Sequence, residues 1–118
     1  MNEVERHIVI SFKLKNQGNE EYAYLSDEEI LKMNPPTPYD YINYYDNVII
    51  RLNKQIKNCE QSINDMEKDM PKDYMLRRET LEYIKEELDE IKEIQAKIEE
   101  YTNKKNPYLE QIENEHIK

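Results

Sequence analysis

The chain has 118 residues, 26 of them acidic and 17 basic, for a formal net charge of −9, with one glycine and one cysteine. That length predicts a single domain; the lone Cys59 excludes an internal disulfide and a cysteine-built zinc site, and Gly18 alone cannot supply a glycine-rich phosphate loop. The acidic balance argues against direct binding of a phosphate backbone, which needs clustered Lys and Arg, and no apolar run approaches the roughly 20 residues of a membrane span.

Residues 7–15 alternate, with Ile8, Ile10, Phe12 and Leu14 on one face and His7, Val9, Ser11, Lys13 and Lys15 on the other. Period two with β-branched residues predicts a half-buried strand. Asn16-Gln17-Gly18-Asn19 predicts a turn in which Gly18 supplies a positive φ, and Glu21–Leu25 is the expected return strand. Ser26 followed by Glu29 has the spacing of a capping box and opens a short helix to about Met33, which Asn34-Pro35-Pro36 ends.

Thr37 and Pro38 start the next helix as N-cap and first helical residue, with Asp40 in the first turn, where the helix dipole favours an acid. Ile42, Tyr45, Ile49, Leu52, Ile56, Cys59, Ile63 and Met66 then follow in alternating steps of three and four, the seam of a coiled coil. Met70-Pro71-Lys72 interrupts it. A second seam follows, through Tyr74, Arg77, Leu81, Ile84, Leu88, Ile91, Gln95 and Ile98. Pairing positions whose numbers sum to 140 sets each seam residue against another, with Cys59 opposite Leu81 and Tyr45 opposite Gln95. Asn106-Pro107 is expected to stop this helix or restart it as a short one.

The expected fold is therefore mostly α (α+β). Residues 1–36 form a β-hairpin and short helix packed on the base of a long antiparallel coiled-coil hairpin over 37–106. That hairpin turns near 70–72, and residues 107–118 make a short C-terminal helix or tail. Because a two-stranded ribbon is marginal alone, a second copy of the chain is expected to complete the ribbon or the helix bundle as a homodimer.

Chemistry-bearing motifs are scarce. His7 and His116 lie at opposite ends of the chain, and Cys59 is a seam position, so neither a metal site nor a catalytic triad can be assembled. No enzyme activity, cofactor, metal or small-molecule substrate is expected. The tyrosine-rich start of the helix that opens at Thr37, with apolar residues lying outside the seams, nominates Tyr41, Tyr44, Ile50 and Tyr101 as partner-binding residues, because tyrosine is enriched at binding hot spots. Glu79, Glu86, Glu93 and Glu100 recur every seven residues, and Glu82 widens that stripe. Its plain reading is a solvated face, and its functional reading is an acidic rod that docks a basic partner. Arg78, Lys85 and Lys92 form a basic line one position before the stripe.

These features lead to the expectation of a non-catalytic protein-interaction module that acts by binding another protein. The alternative is an acidic inhibitor of phage or mobile-element type, anti-restriction or anti-CRISPR, occupying a nucleic-acid-binding site of its target. One cysteine, a charged N-terminus without the apolar core of a signal peptide, and Lys-, Asn- and Ile-rich usage place the chain in the cytoplasm of a bacterium or an infected host cell.

Overall fold

A computed structural model describes residues 1–117. Among them are four α-helices and no strand: α1 Glu3–Lys15, α2 Asp27–Met33, α3 Pro38–Lys68 and α4 Tyr74–Ile117. The chain divides into two compact units, one of Met1–Tyr44 with Pro107–Lys118 and one of Tyr45–Asn106.

The N-terminal β-hairpin expected from the alternation is not formed; its first strand is α1. The apolar run carries two periods at once. Read at helical spacing it places Val4, Ile8 and Phe12 on one face with Val9 beside them, and Val4 and Val9 are buried while Ile10 and Leu14 are exposed. The start signal decides between the two. The Glu5 N–H donates to Asn2 Oδ1 at 2.9 Å and the Asn2 N–H donates to Glu5 Oε1 at 3.1 Å, a reciprocal capping box. Glu3 and Glu5 in the first turn and Lys13 and Lys15 in the last complement the helix dipole. The segment expected to return as a strand is a run of turns, with Tyr22 N–H donating to Asn19 O and Leu25 N–H to Tyr22 O. Gly18 does take a positive φ, 85°. Phe12 meets the Tyr22 ring edge-on at 5.3 Å.

The second and third helices start where the sequence places them. Ser26 Oγ accepts from the Glu29 N–H at 3.2 Å and donates to its carboxylate, opening α2, whose Ile30 is buried. Thr37 caps α3 reciprocally with Asp40: the Asp40 N–H donates to Thr37 Oγ1, and the Thr37 N–H donates to Asp40 Oδ2 at 2.8 Å. Pro38 occupies the first helical position, where its missing N–H costs nothing. Lys13 pairs with Asp27 at 2.9 Å, tying α1 to α2.

Within the unit 45–106, α3 and α4 pack as an antiparallel helical hairpin. Rising numbers on α3 meet falling numbers on α4: Asp46 accepts from Lys105 Nζ at 2.8 Å, Tyr45 lies against Tyr101 with ring centroids 5.8 Å apart, and Cys59 lies against Glu87 and Glu90. The α3 seam is the expected one, with Leu52, Cys59 and Ile63 buried, and it is joined by buried Val48, which lies outside that seam.

The α4 seam differs in two ways. Its register along α3 is shifted by nearly one heptad, since Tyr45 meets Tyr101 instead of Gln95 and Cys59 meets Glu87 instead of Leu81. It is also rotated. Ile84, Ile91 and Ile98 belong to both seams, but the second column is Glu87, Ile94 and Tyr101 in place of Leu81, Leu88 and Gln95. Ile94 is 5% exposed, whereas Leu81 is 51% and Leu88 47% exposed. A seven-residue pattern matches itself again after one repeat, so sequence periodicity alone does not fix the register.

Pro107 neither stops nor restarts α4, which runs as one 44-residue helix through it. Buried Ile94 and the half-buried positions 98, 101, 105, 108 and 112 keep their steps of three and four past the proline, so the burial pattern continues where the hydrogen-bond ladder loses one donor.

Candidate functional site

The four partner-binding candidates fall in different surroundings. Tyr41 is half-buried; it stacks on Tyr108 at 4.3 Å with the rings 5° from parallel, and its hydroxyl accepts from Asn2 Nδ2 at 3.0 Å. Burial, and then the neighbouring Tyr41, push the Tyr108 phenol above its ordinary range. Tyr44 is half-buried against the His7 ring at 5.4 Å. Tyr101 packs on Tyr45 and carries Lys104 Nζ 4.8 Å above its ring, a cation–π contact. These three tyrosines are half-buried and contact neighbours inside their own units. Ile50 is 65% exposed beside Asn53, Lys54 and Lys57, on the side of α3 away from its buried stripe.

Glu79, Glu82, Glu86, Glu93 and Glu100 are all exposed along α4. Arg78 reaches Glu82 at 3.9 Å and Lys104 reaches Glu100 at 3.4 Å, loose i,i+4 pairs of small energetic weight. Glu79, Glu86 and Glu93 enter no ion pair among the described residues.

A further surface follows from the rotated seam and was hidden in the sequence by being assigned to the core. Tyr74, Leu81 and Leu88 stand seven residues apart on α4, with Tyr74 75% exposed. At about 3.6 residues per turn they form one stripe along the helix. Arg78, Lys85 and Lys92 each follow a stripe residue by four positions and so border it on one side. Tyr74, Arg77, Arg78 and Leu81 line a surface concavity of about 450 Å³ at its start.

Cys59 provides the other feature that sequence reading left as plain core. Its Sγ and one carboxylate oxygen each of Glu87 and Glu90 lie within 4.8 Å of one another. Burial first, then the two glutamates, push the thiol from 9.0 up to about 11, so it stays protonated and can donate to the carboxylates. A thiol held protonated is a poor nucleophile. Its sequence signal was Glu87 itself, a polar residue in phase with Ile94 and Tyr101.

Elsewhere, a concavity of about 480 Å³ is lined by Phe12, Gly18, Tyr22 and Leu25 with their neighbours in the α1–α2 connection. His116 is exposed in the last turn of α4. No helix among the described residues is long and apolar enough to cross a membrane. Comparison with protein-family models, curated proteins and solved structures gave no match.

Proposed function

We propose that this chain is a non-catalytic protein-interaction module, acting by binding another protein. The observation that carries this reading is the Tyr74–Leu81–Leu88 stripe. It comprises three large apolar side chains at heptad spacing, left in solvent on a helix whose other apolar column is already used by α3. Exposed apolar residues scattered singly need no explanation, but an aligned run of them marks a contact surface. The state of the reactive side chains supports the non-catalytic part: Cys59 is held as a thiol, and His7 packs against a tyrosine ring. The strand edge, one of the two grounds for a homodimer, is replaced by helix; the interaction we propose is with a different protein. The acidic charge, the free Cys59 and the composition fit action in the cytoplasm of a bacterium or an infected host cell.

Affinity capture from source cells tests the reading, with wild type beside a Leu81→Ser/Leu88→Ser variant of unchanged helical content. A stoichiometric protein partner held by wild type and lost by the variant is expected. A partner held equally by both would remove the stripe from the interaction.

A second reading is favoured by the exposure of Glu79, Glu86 and Glu93, which enter no ion pair among the described residues. It is an acidic inhibitor occupying a nucleic-acid-binding site. It predicts a complex that dissolves between low and high salt and is lost when these three residues become Gln. Binding that survives high salt would contradict it.

A further inference from the structure

We propose that the Tyr74–Leu81–Leu88 stripe is the docking face for an amphipathic helix with acidic flanks, supplied by a partner protein. The proposal rests on the interaction reading above and names its occupant. Two independent features select that occupant.

The first feature is spacing. The stripe covers 14 residues of α4 in two seven-residue steps, about 21 Å at 1.5 Å per residue. One helix meets another at this repeat, because apolar residues every seven positions keep facing a partner helix as both wind. An extended strand would present side chains at about every second residue instead.

The second feature is charge. The chain carries −9, yet the edge of this stripe is basic: Arg78, Lys85 and Lys92. Among the described residues Lys85 and Lys92 enter no ion pair, and Arg78 reaches only Glu82, at 3.9 Å. Cations bordering an apolar stripe favour acids beside the partner's apolar residues and disfavour bases there.

A second copy of the chain fits worse. In a two-fold antiparallel pairing of the stripe on itself, Leu81 meets Leu81, Tyr74 meets Leu88, and like edges meet. Lys85 then faces Arg78 of the other copy. In a parallel pairing the basic border faces Arg77 and Ile84, again with no acid.

The test uses the full chain and two synthetic helical peptides of about 21 residues, long enough to span the stripe. Both carry leucine at heptad positions; one has glutamate at the flanking positions and the other lysine. Binding is read by fluorescence anisotropy at low and high salt, with sedimentation of the free chain alongside. The glutamate peptide is expected to bind roughly tenfold or more tightly than the lysine peptide, with the gap narrowing in salt. Leu81→Ser/Leu88→Ser should abolish binding of both peptides, and Lys85→Glu/Lys92→Glu should invert the preference, with helical content unchanged.

Equal binding of the two peptides, or none, would overturn the acidic-helix occupant. So would a dimer of the free chain that Leu88→Ser dissociates, which would make the stripe a self-contact. The capture experiment separates the two levels. If neither peptide binds but a cellular protein is still lost on Leu81→Ser/Leu88→Ser, the occupant is wrong and the interaction reading stands. If capture ignores those substitutions, the interaction reading of the stripe fails with it.

Discussion

Cys59 is a residue whose surroundings set its chemistry. Buried in the α3 seam against Glu87 and Glu90, its thiol is pushed up to about 11. Alkylation at pH 8.5 should therefore be much slower in the folded protein than in denaturant, and Glu87→Gln should speed it by removing one of the two acids. A rate equal to that of the unfolded chain would contradict the burial. The same shift gives stability a pH dependence of defined sign. The folded-state pKa lies above the unfolded one, so the contribution is complete below about pH 9 and is lost as pH rises through about 11. Thermal melts across that window should show a fall that is reduced in Cys59→Ala.

At the scale of elements, the caps and the seams make separate predictions. Thr37→Ala removes a hydroxyl that accepts from the Asp40 N–H, and should cost about 1 kcal/mol in equilibrium unfolding, as N-cap losses do. An effect near zero would mean that α3 does not begin at Pro38. Because α4 runs unbroken through residue 107, Pro107→Ala restores a backbone donor inside a helix and should raise stability, by up to about 3 kcal/mol. Were Pro107 the first residue of a separate helix, the same substitution would leave stability unchanged or lower it.

Much at this scale was legible in the sequence: the start of α2 at Ser26, the start of α3 at Thr37-Pro38, the α3 seam, the break around Pro71 and the positive φ of Gly18. What was not legible has identifiable causes. Ile8 to Leu14 satisfies both a period of two and a helical period, and the Asn2–Glu5 capping box that tips it to helix lies upstream of the alternating run. On α4, Ile84, Ile91 and Ile98 are common to two possible seams. Leu81 and Leu88 made one of them look complete, while Ile94 and Tyr101 form the other. Leucines in the sequence therefore concealed the candidate surface, because apolar residues at seam spacing read as core.

On the scale of the whole molecule, the functional reading depends on that rotation. A chain with a net charge of −9 and a small buried set (Val4, Val9 and Ile30 in one unit; Val48, Leu52, Cys59, Ile63, Ile84 and Ile94 in the other) leaves a heptad column of α4 to solvent. Because of this rotation, the two columns of α4 differ sharply in what they contribute to folding. Urea unfolding of Ile94→Ala and Leu88→Ala, measured as a matched pair, tests this most directly. Ile94→Ala is expected to lose about 2–4 kcal/mol, the cost of deleting a buried aliphatic side chain. Leu88→Ala is expected to lose less than about 1 kcal/mol, as at an exposed helix position. The opposite order would return Leu88 to the hairpin seam and remove the surface on which the proposed interaction rests.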